Sequence, residues 1–284
     1  MPAPLWLIDA FTSRPFRGNP AGVCWLDHPV PDTWMQSLAN ELNQAETAFV
    51  SSAADGFNLR WFTPEIEVDL CGHATLATGH FLWTSGRLDP RQPARFHTRS
   101  GVLTARREHD DRIVLDFPSL DVVPVAPPEG FFAALNLPGG LVYSNRAAQP
   151  DYLVMLDREV DVHIVMPNFA ALKNINARGV IVTAPGDRKE TDFVSRFFAP
   201  AVGIDEDPVT GSAHCTLAPF WAPRLGKSTM VGYQASRRGG VVETRIVDDR
   251  VHLAGHAVTM VRGEVDAPGT GNPTGAANSY SHGA

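Results

Sequence analysis

Arg60-Trp-Phe-Thr-Pro64 and Arg196-Phe-Phe-Ala-Pro200 are near copies of one another, 136 residues apart. Each leads through an acidic stretch to a glycine and a run of small residues, Gly72-His-Ala-Thr-Leu-Ala77 in one case and Gly211-Ser-Ala-His-Cys-Thr216 in the other. Arg99-Ser-Gly101 matches Arg238-Gly-Gly240 at an offset of 139, and Asp111-Arg-Ile-Val-Leu115 matches Asp249-Arg-Val-His-Leu253 at 138. Four patches in the same order at nearly one offset indicate an internal duplication. Two copies, unlike the many short repeats of a solenoid, argue for two similar domains related by a pseudo-twofold axis.

Between the copies runs Phe117-Pro-Ser-Leu-Asp-Val-Val-Pro-Val-Ala-Pro-Pro-Glu-Gly130. Its four prolines remove backbone donors and resist regular pairing, so it reads as a linker. The chain then divides into an N-terminal half (1–117), a Pro-rich linker (118–129) and a C-terminal half (130–265). The remainder, 266–284, is polar, small and poor in apolar residues, and is expected to be a disordered tail.

Within each half, Leu5-Trp-Leu-Ile-Asp, Arg112-Ile-Val-Leu-Asp-Phe, Gly179-Val-Ile-Val-Thr and Val251-His-Leu carry the β-branched enrichment of strands. Asp110-Asp111 and Asp249-Arg250 sit where hairpin turns are expected. After each glycine signal the period changes. Ala213, Leu217, Trp221 and Leu225 recur at spacing four, while Ala74, Leu76, Ala77, Phe81, Leu82 and Trp83 make a segment apolar almost all round. A helix apolar on most faces must be enclosed by other structure. Each half therefore reads as strands wrapped around one buried helix, a mixed α/β (α+β) fold.

The composition bounds the function. With 284 residues and 44% hydrophobic content the chain has ample material for a core. A net charge of -7 lacks the basic footprint that attracts nucleic acid or anionic lipid, so neither is expected as a partner. No apolar run approaches the ~20 residues that cross a bilayer. The first residues lack a basic leader pattern, and Cys24, Cys71 and Cys215 are far apart and odd in number. Both features lead us to expect a cytoplasmic protein with reduced thiols.

The first turn of a helix presents unpartnered amides and partial positive charge. Two buried helix starts, at Gly72-His73-Ala74 and Gly211-Ser212-Ala213, facing one another across a cleft would suit a small carboxylate. Ser212 is expected to cap its helix, with Asp207-Pro-Val-Thr-Gly211 setting the turn before it. Glu46, at the edge of the apolar run Thr-Ala-Phe-Val50, is the candidate proton carrier, because apolar neighbours raise a carboxyl pKa. A solvated glutamate ending a helix is the plainer alternative. Cys71 and Cys215 lie beside the helix starts, but at unmatched positions in the two copies. A metal site from Cys71, His73, His80 and His214 lacks any standard spacing, and none is expected. Gly226-Lys-Ser228 ends like a phosphate-binding loop but has Trp221 where that motif requires glycine. No dinucleotide fingerprint, nucleophile elbow or His-Glu-x-x-His is present.

Asp9-Ala-Phe-Thr, Gly18-Asn-Pro-Ala-Gly22, Glu46-Thr, Leu70-Cys-Gly-His-Ala-Thr75 and Glu206-Asp-Pro-Val-Thr-Gly-Ser-Ala-His214 resemble the phenazine-biosynthesis (PhzF-like) isomerase family, itself related to diaminopimelate epimerase. Gln234-Ala-Ser-Arg-Arg-Gly-Gly240 and Leu253-Ala-Gly-His-Ala-Val258 also fit, so the resemblance spans nearly the whole chain. It implies the diaminopimelate epimerase-like fold, an active site between two α/β halves, a homodimer and no cofactor. It also implies a cofactor-independent isomerase acting on a small carboxylate, with catalytic groups at Glu46, His73, Asp207 and Ser212. Gly72, Ala74, Gly211, Ala213 and Asn19 would contact the substrate. Asp207-Pro-Val-Thr-Gly-Ser212 lacks the second cysteine of the epimerase relatives. Two other readings stay open: a racemase using Cys71 or Cys215, and a non-catalytic anion-binding protein of the same fold.

Overall fold

The computed structural model describes residues 2–145 and 149–269. The N-terminal half contains strands β1 (Pro2–Ala10), β2 (Asn19–Trp25), β3 (Glu46–Ala53), β4 (Gly56–Phe62) and β5 (Glu67–Val68). Strands β6 (Ala94–Thr98), β7 (Gly101–Arg107) and β8 (Ile113–Pro118) complete it, with helices α1 (Asp32–Leu42) and α2 (Gly72–Thr84). Beyond the short β9 (Val123–Pro124), the second half repeats the pattern with β10 (Leu141–Ser144), β11 (Asp151–Met155), β12 (Gly179–Pro185), β13 (Phe193–Ala199) and β14 (Ile204–Asp207). Three short helices, α3 (Phe131–Leu135), α4 (Glu159–His163) and α5 (Phe169–Leu172), precede the long α6 (Gly211–Leu225). The chain then forms β15 (Thr229–Gln234), β16 (Gly240–Val247), β17 (Arg250–Gly255) and β18 (Ala257–Asp266).

The two halves pair their strands alike. β2–β3 and β11–β12 are parallel, β3–β4 and β12–β13 antiparallel, and β4–β6 and β13–β15 parallel again. The repeated Arg-aromatic-aromatic phrase has a physical basis. Arg60 forks onto Glu67 across the β4–β5 pair with both contacts at 2.7 Å, and Arg196 forks onto Glu206 across β13–β14 at 2.7 and 3.0 Å. Each guanidinium also lies over the ring two residues on, Phe62 at 5.1 Å and Phe198 at 4.8 Å. Bidentate Arg–carboxylate pairs fix direction as well as distance, so this motif holds the strand just before each buried helix.

The pseudo-twofold axis can be located. β8 and β17 pair antiparallel with Leu115 opposite Leu253, residues that correspond in the duplication. Phe117 opposite Val251 and Ile113 opposite Gly255 exchange places about that point, as a twofold requires. The strand after each β8/β17 position crosses over: β9 pairs with β10, and β18 runs the length of β1. Strand pairing thus joins the two halves through β18–β1 and β8–β17, and the linker to the second half through β9–β10. We propose the division into 1–117 and 130–265 as a description of the duplication, since hydrogen-bonded strands join across it.

In α2 every residue from His73 to Trp83 except His80 is buried, and in α6 the stretch Ala213–Ala218 is buried throughout. Both helices occupy the main core among β-strand side chains such as Ile8, Leu115 and Leu253. The expected strands and both helices are present. One hairpin is displaced by a residue: the second turn is Asp248-Asp249, with Asp248 at φ 53°, and Arg250 already begins β17. The linker is tied down where Pro219 interrupts α6. Proline cannot donate to the carbonyl four residues back, and that Cys215 carbonyl accepts from the Leu120 amide at 3.1 Å instead. The expected tail falls mainly on 270–284, outside the described residues, whereas Asp266 closes β18 and Ala267 is buried. Among the described residues no helix is long and apolar enough to cross a membrane.

Where α2 and α6 begin, their backbones touch. A Cβ on Gly72 would lie 3.1 Å from the Gly211 Cα, and a Cβ on Gly211 would lie 3.1 Å from the Gly72 Cα. Helix propensity favours alanine over glycine by up to about 1 kcal/mol, but here overpacking of two backbones opposes it. Gly72→Ala and Gly211→Ala are each expected to destabilise the protein by about 1–3 kcal/mol in chemical denaturation. Unchanged or increased stability would show that the helix starts can separate.

Candidate active site

At the Gly72–Gly211 contact the first amides of both helices lack their own caps. The residues before them, Cys71 and Thr210, have extended backbone and make no capping side-chain bond. Their carbonyls accept the first intrahelical bonds, from Thr75 (3.2 Å) and His214 (3.3 Å). The amides of Gly72, His73 and Ala74, and of Gly211, Ser212 and Ala213, precede those bonds and supply the positive end of each helix. A cavity of about 510 Å³ opens at this spot, lined by Glu46, Gly72, His73, Asp207, Gly211 and Ser212 among others. Its remaining walls are largely apolar, including Phe117, Leu120, Phe197 and Ile204.

Ser212 does not cap α6. The helix begins one residue earlier, so Ser212 lies in its first turn, and its hydroxyl accepts from Arg178 Nη2 at 3.1 Å. The turn before α6 is held within Asp207–Gly211, with Gln234 reaching in to brace it. Thr210 Oγ1 donates to Asp207 Oδ2, Gln234 Nε2 donates to the Asp207 carbonyl at 2.7 Å, and the Thr210 amide donates to Gln234 Oε1 at 2.8 Å.

Asn19 joins the halves. Its Nδ2 lies 2.7 Å from Asp207 Oδ1, 2.9 Å from the Val209 carbonyl and 3.1 Å from His73 Nδ1. An amide nitrogen has two hydrogens, and the two shorter contacts use them best. With both hydrogens so used, none is left for His73 Nδ1, whose other neighbour is Cys71 Sγ at 3.5 Å. Glu46 starts β3, and its Oε2 lies 3.4 Å from His73 Nε2. Among the described residues neither of these two atoms has a hydrogen-bond partner, although both are buried. Buried polar atoms left unpaired are costly, so this pair is set for a third participant.

Burial drives the electrostatics. It raises the Glu46 carboxyl to about 8, with the Asp207 charge adding to the rise and a Cys71 thiol hydrogen bond opposing it. Burial raises Asp207 to about 6, against the pull of the Thr210 and Asn19 donors and the Arg178 charge. The His73 ring falls to about 3 through loss of solvent, so it is neutral near pH 7. The two carboxyls are thereby split: the Thr210 and Asn19 donors keep Asp207 below Glu46.

The cysteines line the same cavity but are buried thiols. Burial lifts Cys215 to about 12 and Cys71 well above its usual range. Glu46, Cys71 and His73 bring one ligand-type atom each within 4.8 Å of one another. Within this trio Cys71 Sγ sits 3.5 Å from His73 Nδ1. Among the described residues His80 and His214 turn elsewhere, His80 to Thr259 at 2.9 Å and His214 to the Thr210 carbonyl at 2.8 Å. The cavity therefore gathers Asn19's partners His73 and Asp207 together with Glu46, Ser212 and both helix starts. Sequence reasoning missed Arg178 and Asp151, which line the cavity too and are bonded to one another. A single Arg-Gly before a strand carries no signal that would have flagged them.

Comparison with known proteins follows this geometry. The phenazine biosynthesis-like protein family (PhzC-PhzF) matches residues 8–263. A protein of Halalkalibacterium halodurans named as an uncharacterized isomerase is 47% identical over 266 residues, covering 93% of this chain and 99% of that one. The crystal structure of a PhzF family protein from Enterococcus faecalis superposes with a TM-score of 0.86 at 38% identity, over 94% of this chain and all of that one. A probable proline racemase from Agrobacterium radiobacter shares the fold at a TM-score of 0.63 and 12% identity, over 96% and 94% of the two chains. The expected epimerase-like fold is thus the observed one.

The Glu46 environment has a consequence for stability. Its folded pKa lies above the unfolded value, so between about 4.5 and 8 the folded state binds a proton that the unfolded chain has released. Stability attached to Glu46 is therefore lost as pH rises through that window. Glu46→Gln should gain on wild type progressively from pH 5 to 8, by more than about 1 kcal/mol at the upper end in urea denaturation. Parallel stability curves for the two proteins would contradict the raised pKa.

Proposed function

The chain belongs to the phenazine biosynthesis-like (PhzC-PhzF) family and is an isomerase; from that premise we propose that Glu46 moves a proton between two carbons of a small conjugated carboxylate bound in the cavity. The observation that carries this reading is the unpaired, buried facing of Glu46 Oε2 and His73 Nε2 beside two touching helix starts. The substrate carboxylate meets the amides at Gly72–Ala74 and Gly211–Ala213, where the helix ends favour negative charge. The apolar walls suit an unsaturated hydrocarbon frame.

Ionised Glu46 takes a proton from an activated carbon and, as the acid so formed, returns it at a second carbon of the same face. Neutral His73 donates from Nε2 toward the substituent on which charge develops, and need not change protonation state. Asp207, kept anionic by Asn19 and Thr210, orients polar substituents, and its charge keeps Glu46 basic enough to accept a proton. Ser212 supplies a hydroxyl beside the carboxylate. Groups placed in advance where charge develops are worth more in a cavity closed to water than in solution. Specificity for one carboxylate over another rests with the apolar walls and the polar rim.

A second reading uses the thiols, because Cys71 and Cys215 both line the cavity. It requires thiolates, which burial disfavours at both positions. The two readings part in an exchange assay. Cyclic unsaturated carboxylates are incubated with enzyme in deuterated water, and carbon-bound deuterium is followed by mass spectrometry. Glu46→Gln should lose about 10²- to 10⁴-fold in exchange rate, whereas Cys71→Ala and Cys215→Ala should stay within about tenfold. The reverse pattern would assign the chemistry to a thiol. Wild-type exchange per enzyme should also rise with pH toward a plateau above about 8, as the Glu46 carboxyl ionises. A rate independent of pH between 6 and 9 would remove Glu46 as the base.

A further inference from the structure

One positive side chain stands out in a cavity otherwise edged by carboxylates. Of the described lining residues, Glu46, Asp69, Asp151 and Asp207 are acidic, and Arg178 alone is a lysine or arginine. Arg178 is built in rather than draped over the surface. Its amide donates to the Pro150 carbonyl at 2.8 Å. The next residue, Gly179, lies flat against Phe197, since a Cβ there would come within 2.1 Å of the ring. The guanidinium carbon itself rests 5.5 Å from the centre of that same ring.

Two hydrogen bonds aim the head group, and both use Nη2. One goes to Asp151 Oδ2 and the other, at 3.1 Å, to the Ser212 hydroxyl in the first turn of α6. Asp151 is 1% exposed, and among the described residues its second oxygen, Oδ1, has no hydrogen-bond partner. The Arg178 side chain is 38% exposed and lines the cavity. A guanidinium with a planar fork of five donors and two directed bonds on one nitrogen retains donors for a planar anion. It does so beside a helix start that also favours negative charge.

We propose that Arg178 reads the substrate's carboxylate, gripping it together with Ser212 and the first amides of α6, and so restricts the enzyme to anionic substrates. This rests on the isomerase reading of the same cavity and deepens it by placing the anionic end of the substrate near α6 and its reacting carbons toward Glu46. Asp151 acts as an internal stand-in that holds Arg178 in position when the cavity is empty. It also tempers the positive charge, so that binding is a matter of geometry and not of net attraction alone. A neutral amide analogue offers the guanidinium one uncharged acceptor in place of two anionic oxygens, and charge-assisted bidentate bonds are roughly twice as strong as neutral ones.

The test uses benzoate and its neutral isostere benzamide as probes of the full-length protein, by isothermal titration calorimetry. Wild type should prefer benzoate. Arg178→Met should weaken benzoate about 10- to 100-fold while leaving benzamide unchanged. Asp151→Asn, which removes the internal competitor and keeps a side chain of the same shape, should bind benzoate as tightly as wild type or more tightly. If Arg178 only supports the wall through its ion pair, both substitutions should weaken both probes together, and that result overturns the proposal. Equal binding of the two probes by wild type, or benzoate binding by Arg178→Met at wild-type strength, overturns it as well. Failure of the Glu46 reading is distinguishable. In that case Glu46→Gln would retain deuterium exchange while Arg178→Met still lost benzoate.

Discussion

Backbone contact between Gly72 and Gly211 sets where the rest of the site must lie. Two buried helices, one from each half, meet end to end on the pseudo-twofold axis, and neither tolerates a side chain at its first position without moving the other. The same axis passes between Leu115 and Leu253, where β8 and β17 pair. One symmetry element therefore fixes both the seam between the halves and the place where their positive helix ends converge. Arg60–Glu67 and Arg196–Glu206 repeat on either side of that axis and hold the strands that deliver each helix start.

Symmetry builds the cavity, but asymmetry gives it chemistry. Position for position the two helix starts differ: His73 stands in one first turn and Ser212 in the other, and Cys71 before one but Thr210 before the other. Asn19 reaches from β2 across to Asp207 and Val209, so one side chain ties the acidic group of the second half to the imidazole of the first. Burial raises both carboxyls, but Asp207, with Thr210 and Asn19 as donors, only to about 6, whereas Glu46, with the Cys71 thiol alone as donor and the Asp207 charge nearby, rises to about 8.

Much of this architecture was legible in the sequence because duplication leaves a pattern that composition alone does not. The Arg-aromatic-aromatic phrase repeats since the same guanidinium–carboxylate fork is needed twice, and the all-round apolar content of residues 74–83 demanded enclosure. Details set by three-dimensional neighbours were not legible. Ser212 looked like a cap, yet Arg178, 34 residues earlier in the chain, takes its hydroxyl. Asp151 opens β11 and Arg178 immediately precedes β12, adjacent parallel strands whose pairing no local signal announces. The crossing of β18 onto β1 was equally hidden, since the end of the chain bears no mark of which edge it will close.

A crystal structure of the protein soaked with benzoate tests the central claim most directly. The account predicts the carboxylate at the joined helix starts, against the amides of Gly211 and Ser212, with a ring carbon within about 3.5 Å of the Glu46 carboxyl. Benzoate seated elsewhere in the cavity, or at the helix starts with its ring turned away from Glu46, would contradict it.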